Sequence, residues 1–214
     1  MLAGADICDL RVLRAKVLAD LPDPDFYVQE DDEEGFLRNL CGQGGQTYGV
    51  FDKDRLVAYG AISFPGVCDQ DNLGVLLGFE QQECALVAHI ASCMVLPAYR
   101  GFALQQELLR ARFALARACG RRYAIAMVSL KNNQSRHNML LQGMSVRWIG
   151  ELCGGLKRQL LVKDLFRHNP LVSTHAALRL AADDYEAQKK AVKIGLEGRQ
   201  DISVEGRCFI EFFS

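Results

Sequence analysis

The sequence lacks any basic block of the kind that tracks a phosphate backbone, so no nucleic-acid partner is expected. Its 25 Lys and Arg residues are offset by 26 Asp and Glu, both signs spread along the chain. No apolar stretch approaches the roughly 18 residues needed to span a bilayer, so no membrane partner is expected. The start, Met1-Leu2-Ala3-Gly4-Ala5-Asp6, lacks a basic segment leading into a long apolar run, and a signal peptide is not expected. Eight cysteines (8, 41, 68, 84, 93, 119, 153 and 208) form no CxxC pair and no His/Cys cluster. That argues against a structural metal site and against a disulfide framework. Free thiols in a reducing compartment account for them, which makes the cytoplasm the expected location. Internal repeats and low-complexity segments are absent too.

What is present is globular. Half of the 214 residues are hydrophobic and 24% are charged, ample for one core domain with an appended unit. Residues 1–168 are expected to form the main domain and 169–214 an accessory β-α-β unit packed on it. The densest charge run, Glu30-Asp31-Asp32-Glu33-Glu34, suits a solvated helix N-terminus, where carboxylates face the positive end of the dipole. If it lay at a pocket mouth, it would attract a cationic amine.

Apolar spacing predicts a helix over 6–20, ended by Leu21-Pro22-Asp23-Pro24-Asp25, and a second over 31–41. A hairpin follows, Thr47–Phe51 and Leu56–Phe64 around Asp52-Lys53-Asp54. Residues 65–83 read as a long loop, a place where pockets are often covered. Then come a strand (85–95), an amphipathic helix (102–119), a strand (123–130), a helix (132–143) and strand segments at 146–149 and 160–162. The tail is expected to hold a strand (175–181), a helix opened by Asp183-Asp184 and stopped by Gly195, and a last strand (207–213). This alternation is that of an α/β layered fold.

The chemistry-bearing stretch is Val95-Leu96-Pro97-Ala98-Tyr99-Arg100-Gly101-Phe102-Ala103-Leu104-Gln105. An apolar strand passes through a turn directly into a helix, whose first N–H groups lack partners and form an anion site. Gly101 and Ala103 are small enough for close approach of a phosphate. An ordinary strand-to-helix connection would have the same outline.

This run resembles the coenzyme A-binding signature of the GNAT acetyltransferase superfamily: a Gln or Arg, two residues, a Gly, one residue, then Gly or Ala. Arg100 fills the first position, while Ala103 and the bulkier Gln105 depart from the pattern. A second segment, Asn132-Asn133-Gln134-Ser135…Gly143-Met144, is similar to the family's Asn-x-x-Ala/Ser…Gly-Phe. Asn132 also suits a plain N-cap. The resemblance implies a GNAT-type fold: a mixed, mostly antiparallel central sheet flanked by helices, here with the C-terminal extension.

The resemblance also implies acetyl-CoA as co-substrate and transfer of its acetyl group to a primary amine of a small molecule or peptide. The cofactor contacts it implies are Met94, Val95 and Leu96 for the pantetheine arm, where a strand splays from its neighbour at the level of Val95. Arg100, Gly101, Phe102, Ala103, Leu104 and Gln105 would hold the pyrophosphate, and Asn132 and Ser135 the same arm further on. Family members often carry a catalytic carboxylate six residues before Val95, where this chain has His89; Glu83 is the second candidate base. An imidazole near its reference pKa of about 6.5 can serve, and a buried His satisfying a neighbour is the competing reading. Strand alternation puts His89, Ala91, Cys93 and Val95 on one face, with Cys93 as packing. The family's proton-donating Tyr is Met139 here, which cannot donate. A non-catalytic acyl-CoA-binding sensor or assembly module is therefore the alternative, and a homodimer is compatible with the class.

Overall fold

The computed structural model describes residues 6–42, 44–167 and 176–214. Helix α1 (Ile7–Ala19) buries Leu10, Leu13, Arg14 and Val17, the i, i+3, i+4, i+7 stripe of a core-facing helix. Helix α2 (Glu33–Leu40) starts at Asp32, whose carboxylate accepts the Gly35 N–H at 2.9 Å. Strands β1 (Gly45–Asp52) and β2 (Arg55–Ser63) make the hairpin, and the short helix α3 (Gln81–Cys84) leads into β3 (Val87–Val95). The remaining core elements are α4 (Leu104–Ala118), β4 (Tyr123–Ser129), α5 (Asn133–Leu141), β5 (Ser145–Leu152) and β6 (Leu156–Asp164). The tail adds β7 (Leu178–Ala181), α6 (Tyr185–Lys193), β8 (Glu197–Val204) and β9 (Arg207–Phe213).

All described strands lie in one nine-stranded sheet, in the order β1-β2-β3-β4-β6-β5-β8-β9-β7. Every pairing is antiparallel except β3 with β4. One face carries the main core, where Leu109, Phe113, Met139 and Leu140 of α4 and α5 meet Ile62, Ala88, Ile90 and Val128. On the other face α1 and α2 cover Val57, Tyr59 and Met94, and the 65–80 loop covers Val87, Ile125 and Val162. No helix among the described residues is long and apolar enough to cross a membrane.

The tail extends the sheet rather than closing over its face. It is β-α-β-β, with a strand, β8, that the polar run Glu197-Gly198-Arg199-Gln200-Asp201 hides from apolar patterning. Its joint to the main sheet is the pair Val146–Gly198, where a Cβ on Gly198 would sit 2.9 Å from Ile210 and 3.2 Å from Val146. Only a glycine lets the strands meet there. His137 bonds Asp201 across this junction at 2.8 Å. The expected boundary between residues 168 and 169 lies outside the described residues.

One irregularity shapes the site. Between Gly60–Cys93 and Ile62–Ile90, β3 contributes two residues where β2 contributes one, a β-bulge. The expected single face for His89, Ala91, Cys93 and Val95 is therefore broken. His89 points to the 65–80 loop, whereas Cys93 packs against Arg112 of α4 on the opposite face. Arg112, wholly buried, donates to the Ala61 and Ala91 carbonyls that the bulge frees, at 3.2 and 3.4 Å.

Candidate active site

Strands β3 and β4 pair only through Val87–Tyr123, Ala88–Ala124 and His89–Ile125. Beyond His89 each turns away to its other neighbour, β2 or β6, and the gap becomes a cleft of about 360 Å³. The parting thus begins six residues before Val95. The Leu96 N–H donates to Val57 on the β2 side at 3.0 Å. By alternation the peptide groups of Val95 face away from β2, toward the side that β4 has left, and those of Met94 and Leu96 face β2.

The cleft leads to the start of α4. Pro97–Tyr99 forms one 3-10 turn, Gly101 takes φ +85°, and Ala103, the N-cap, takes φ +57°. The helix begins with Gln106 and Glu107 bonding the Ala103 carbonyl. Among the described residues, the N–H groups of Gly101, Phe102, Ala103, Leu104 and Gln105 donate to no carbonyl. Five unsatisfied donors at the positive end of a 15-residue helix make an anion cradle. Ala103 holds a left-handed conformation that costs a non-glycine residue about 1–2 kcal/mol.

The bulky Gln105 does not fill this cradle. Its Nε2 donates to Ser135 Oγ at 3.2 Å and its Oε1 accepts from Asn138 at 2.6 Å, tying α4 to α5. Asn132 caps α5, its Oδ1 accepting the Ser135 N–H at 3.0 Å, and both residues line the cleft. Arg100 lies at the surface with Asp20 at 2.8 Å, and Phe102 is exposed. Met139, buried, lines the cleft and offers no hydroxyl there. Neither Tyr99, bonded to Asp52 at 2.6 Å, nor His137, bonded to Asp201, is on the cleft wall.

His89 does line the cleft, but its Nε2 accepts the Leu73 N–H at 3.1 Å. Burial lowers its pKa to about 4 against the opposing pull of Asp71 and Asp69. The imidazole is thus neutral near pH 7 and its bonded nitrogen is occupied. Glu83 sits elsewhere: it closes the capping box of α3 and accepts from Tyr123 at 3.3 Å, outside this cleft.

The His89 environment predicts an acid limb of stability. Above pH 6.5 the imidazole is neutral in both folded and unfolded chains. Between 6.5 and about 4 only the unfolded chain takes up the proton, so stability falls as pH falls. The parent should lose about 3 kcal/mol over that window that His89→Gln does not lose, read from urea midpoints across pH. Parallel curves for the two proteins would refute the assignment.

Sequence patterning missed the polar floor. Arg14 of α1, 1% exposed, bonds Glu30 at 2.6 Å, Glu33 at 2.7 Å, Tyr59 at 2.8 Å and Tyr27 at 3.0 Å. Ser92 of β3 joins both tyrosines, at 2.6 and 3.1 Å. Burial opposes the charge on Arg14, yet Tyr59, Tyr27 and Glu33 hold its pKa above the ordinary value. Burial pushes Tyr59 up to about 12 and raises Tyr27 as well. Glu30 and Glu33 are thus ion-pair partners of a buried cation, not only solvated dipole partners, and Glu30 reaches the cleft wall.

The model of the acetyltransferase (GNAT) family matches residues 15–144, more than half of the chain. The chain belongs to the GNAT acetyltransferase family. Solved structures with the same fold include the ribosomal-protein-S18-alanine N-acetyltransferase of Escherichia coli, at 11% identity and a TM-score of 0.54, over 80% of this chain and 96% of that one. Arabidopsis thaliana NAA60 in complex with acetyl-CoA is 12% identical, with a TM-score of 0.56 over 76% of this chain and 95% of its own. PaiA N-acetyltransferase of Thermoplasma acidophilum in complex with coenzyme A is 12% identical, with a TM-score of 0.53 over the same shares. No curated protein matches the sequence. As a GNAT protein this chain departs from the family's pattern at Ala103, Gln105 and Met139, and the first two departures leave the cradle open.

Proposed function

We propose that this GNAT protein transfers an acetyl group from acetyl-CoA to a primary amine of a small molecule or peptide by direct attack. The observation that carries the reading is adjacency: the gap between β3 and β4 is walled at one end by Gln105, the last of five residues at the start of α4 whose N–H groups donate to no carbonyl among the described residues. When bound, acetyl-CoA supplies the acetyl group already activated as a thioester. The N–H groups of Gly101 to Gln105 hold the pyrophosphate, with Arg100 adding charge nearby. The peptide groups of Val95, between Met94 and Leu96, hold the pantetheine arm as a missing strand would be held. Asn132 and Ser135 line the same arm, the Asn132 amide nitrogen having no hydrogen-bond partner among the described residues.

Most of the acceleration comes from fixing the two reactants together, which contributes up to roughly 7–11 kcal/mol. His89, neutral and bonded to Leu73, positions the 65–80 loop on the acceptor side instead of taking the proton. Glu83 has no part in this site. The second reading, an acyl-CoA sensor without turnover, is favoured by Met139, since no hydroxyl stands where the family's proton donor does.

Calorimetric titration with acetyl-CoA should give a dissociation constant in the micromolar range, and thiol release with a panel of amines should then show turnover. Binding without turnover selects the sensor. Absence of binding to folded protein would sink both readings.

A further inference from the structure

Resting on that reading, the acceptor half of the cleft carries a further demand. Its walls are Phe26 and Val28 from the segment after α1, Leu73 from the 65–80 loop, and Ile125 and Met127 from β4. These are apolar. Set among them is Arg158 of β6, opposite Ser129 in the ladder and only 2% exposed. Its Nη1 donates to Asp25 at 2.6 Å and to the Lys157 carbonyl at 3.0 Å. Its Nη2 has no hydrogen-bond partner among the described residues. Of the buried polar side-chain atoms without a partner among the described residues, it alone belongs to a residue on the cleft wall.

A buried guanidinium arm without an acceptor is left desolvated and uncompensated by any bond, so it is a group waiting for an oxygen. Lys131 has its own partner in Asp23 at 2.8 Å, so Asp25 answers Arg158 through Nη1 alone and leaves Nη2 open. Asp71, on the cleft wall beside His89, is a solvent-exposed carboxylate with no hydrogen-bond partner among the described residues, suited to an ammonium group. A buried guanidinium N–H with no acceptor and a solvent-exposed carboxylate, on a cleft with apolar side chains among its walls, match one kind of molecule.

We propose that the acceptor is a free α-amino acid with an apolar side chain, its carboxylate held by Arg158 and its amine turned toward β3. In the transfer the amine nitrogen bonds the acetyl carbon, the carbon–sulfur bond breaks, and the amine's proton ends on the departing thiol. Arg158 is then the residue that sets specificity for the carboxylate.

The test is calorimetric binding of L-leucine, L-leucinamide and isopentylamine, to the protein alone and with coenzyme A, followed by thiol release. Leucine should bind at least 10-fold more tightly than either analogue. Arg158→Gln should weaken leucine about 10- to 100-fold, raising KM more than it lowers kcat, while leaving isopentylamine unchanged. Asp25→Asn, which removes the ion pair but keeps the guanidinium, should retain leucine. Were Arg158 merely structural, the two variants would weaken all three ligands alike. Equal binding of leucine and isopentylamine, or no binding of leucine, overturns the proposal; failure of acetyl-CoA to bind is a separate result that overturns the transfer reading itself.

Discussion

Replacing Ala103 by valine is expected to weaken acetyl-CoA binding at least about 100-fold, a loss of roughly 2.7 kcal/mol, in a protein that still folds. The expectation follows from one dihedral. Ala103 sits at φ +57° and ψ +15°, where its Cβ already strains against the backbone. A β-branched side chain is a genuine outlier there, so the turn escapes by rotating out of the left-handed region. The arrangement of the five N–H groups is then lost, and on the proposed reading these groups, more than the surface charge of Arg100, hold the pyrophosphate. Ala103→Gly works in the opposite sense. It relieves about 1 kcal/mol, raises the melting temperature by about 2–4 °C in a chain of this size, and leaves binding equal or tighter. Calorimetry and thermal melts on the two variants check both halves. A valine variant binding within threefold of the parent would show that the cradle lies elsewhere.

That cradle was legible in the sequence because its parts are contiguous: strand, proline, turn and helix start lie within residues 95 to 105, and a helix terminus needs no distant partner. Asn132 was legible as an N-cap for the same reason, and it also lies on the cleft wall. What patterning misread depends on pairing between distant segments. The β3 bulge arises from the match with β2, so simple alternation put His89 and Cys93 on one face when they lie on opposite ones. Likewise, β8 is polar by composition and becomes a strand only because β9 and Val146 of β5 offer it ladders. Gln105 looked too bulky for the cradle, but its rotamer reaches across to Ser135 and Asn138, a freedom invisible without α5 beside it. Arg14 lies within the helical stripe of buried positions, yet a charged residue there reads as surface until its partners converge.

Those partners make Arg14→Met the substitution with the largest expected cost to stability, about 3–5 kcal/mol. The acceptors lie 16, 19, 13, 45 and 78 residues away along the chain, in Glu30, Glu33, Tyr27, Tyr59 and Ser92. A methionine fills much of the volume but removes the guanidinium that Glu30 and Glu33 share, leaving Glu33 only the longer contact to Arg11 at 3.8 Å and Glu30 no ion pair among the described residues. The melting temperature should fall by about 6–20 °C, from 2–4 °C for each kcal/mol in a chain of this size. Damage should also reach the cleft, because Tyr27 and Ser92 both line it and are held by the same guanidinium. The cost belongs to the uncompensated carboxylates more than to the lost cation. Adding Glu30→Gln and Glu33→Gln to Arg14→Met should therefore recover most of the stability, since a neutral cluster has no unpaired charge to bury. Urea denaturation of the parent, the single variant and the triple variant decides it. A single variant within about 1 kcal/mol of the parent, or a triple variant no better than the single one, would mean that solvent already screens the carboxylates and that packing, not charge pairing, holds α1 on the sheet.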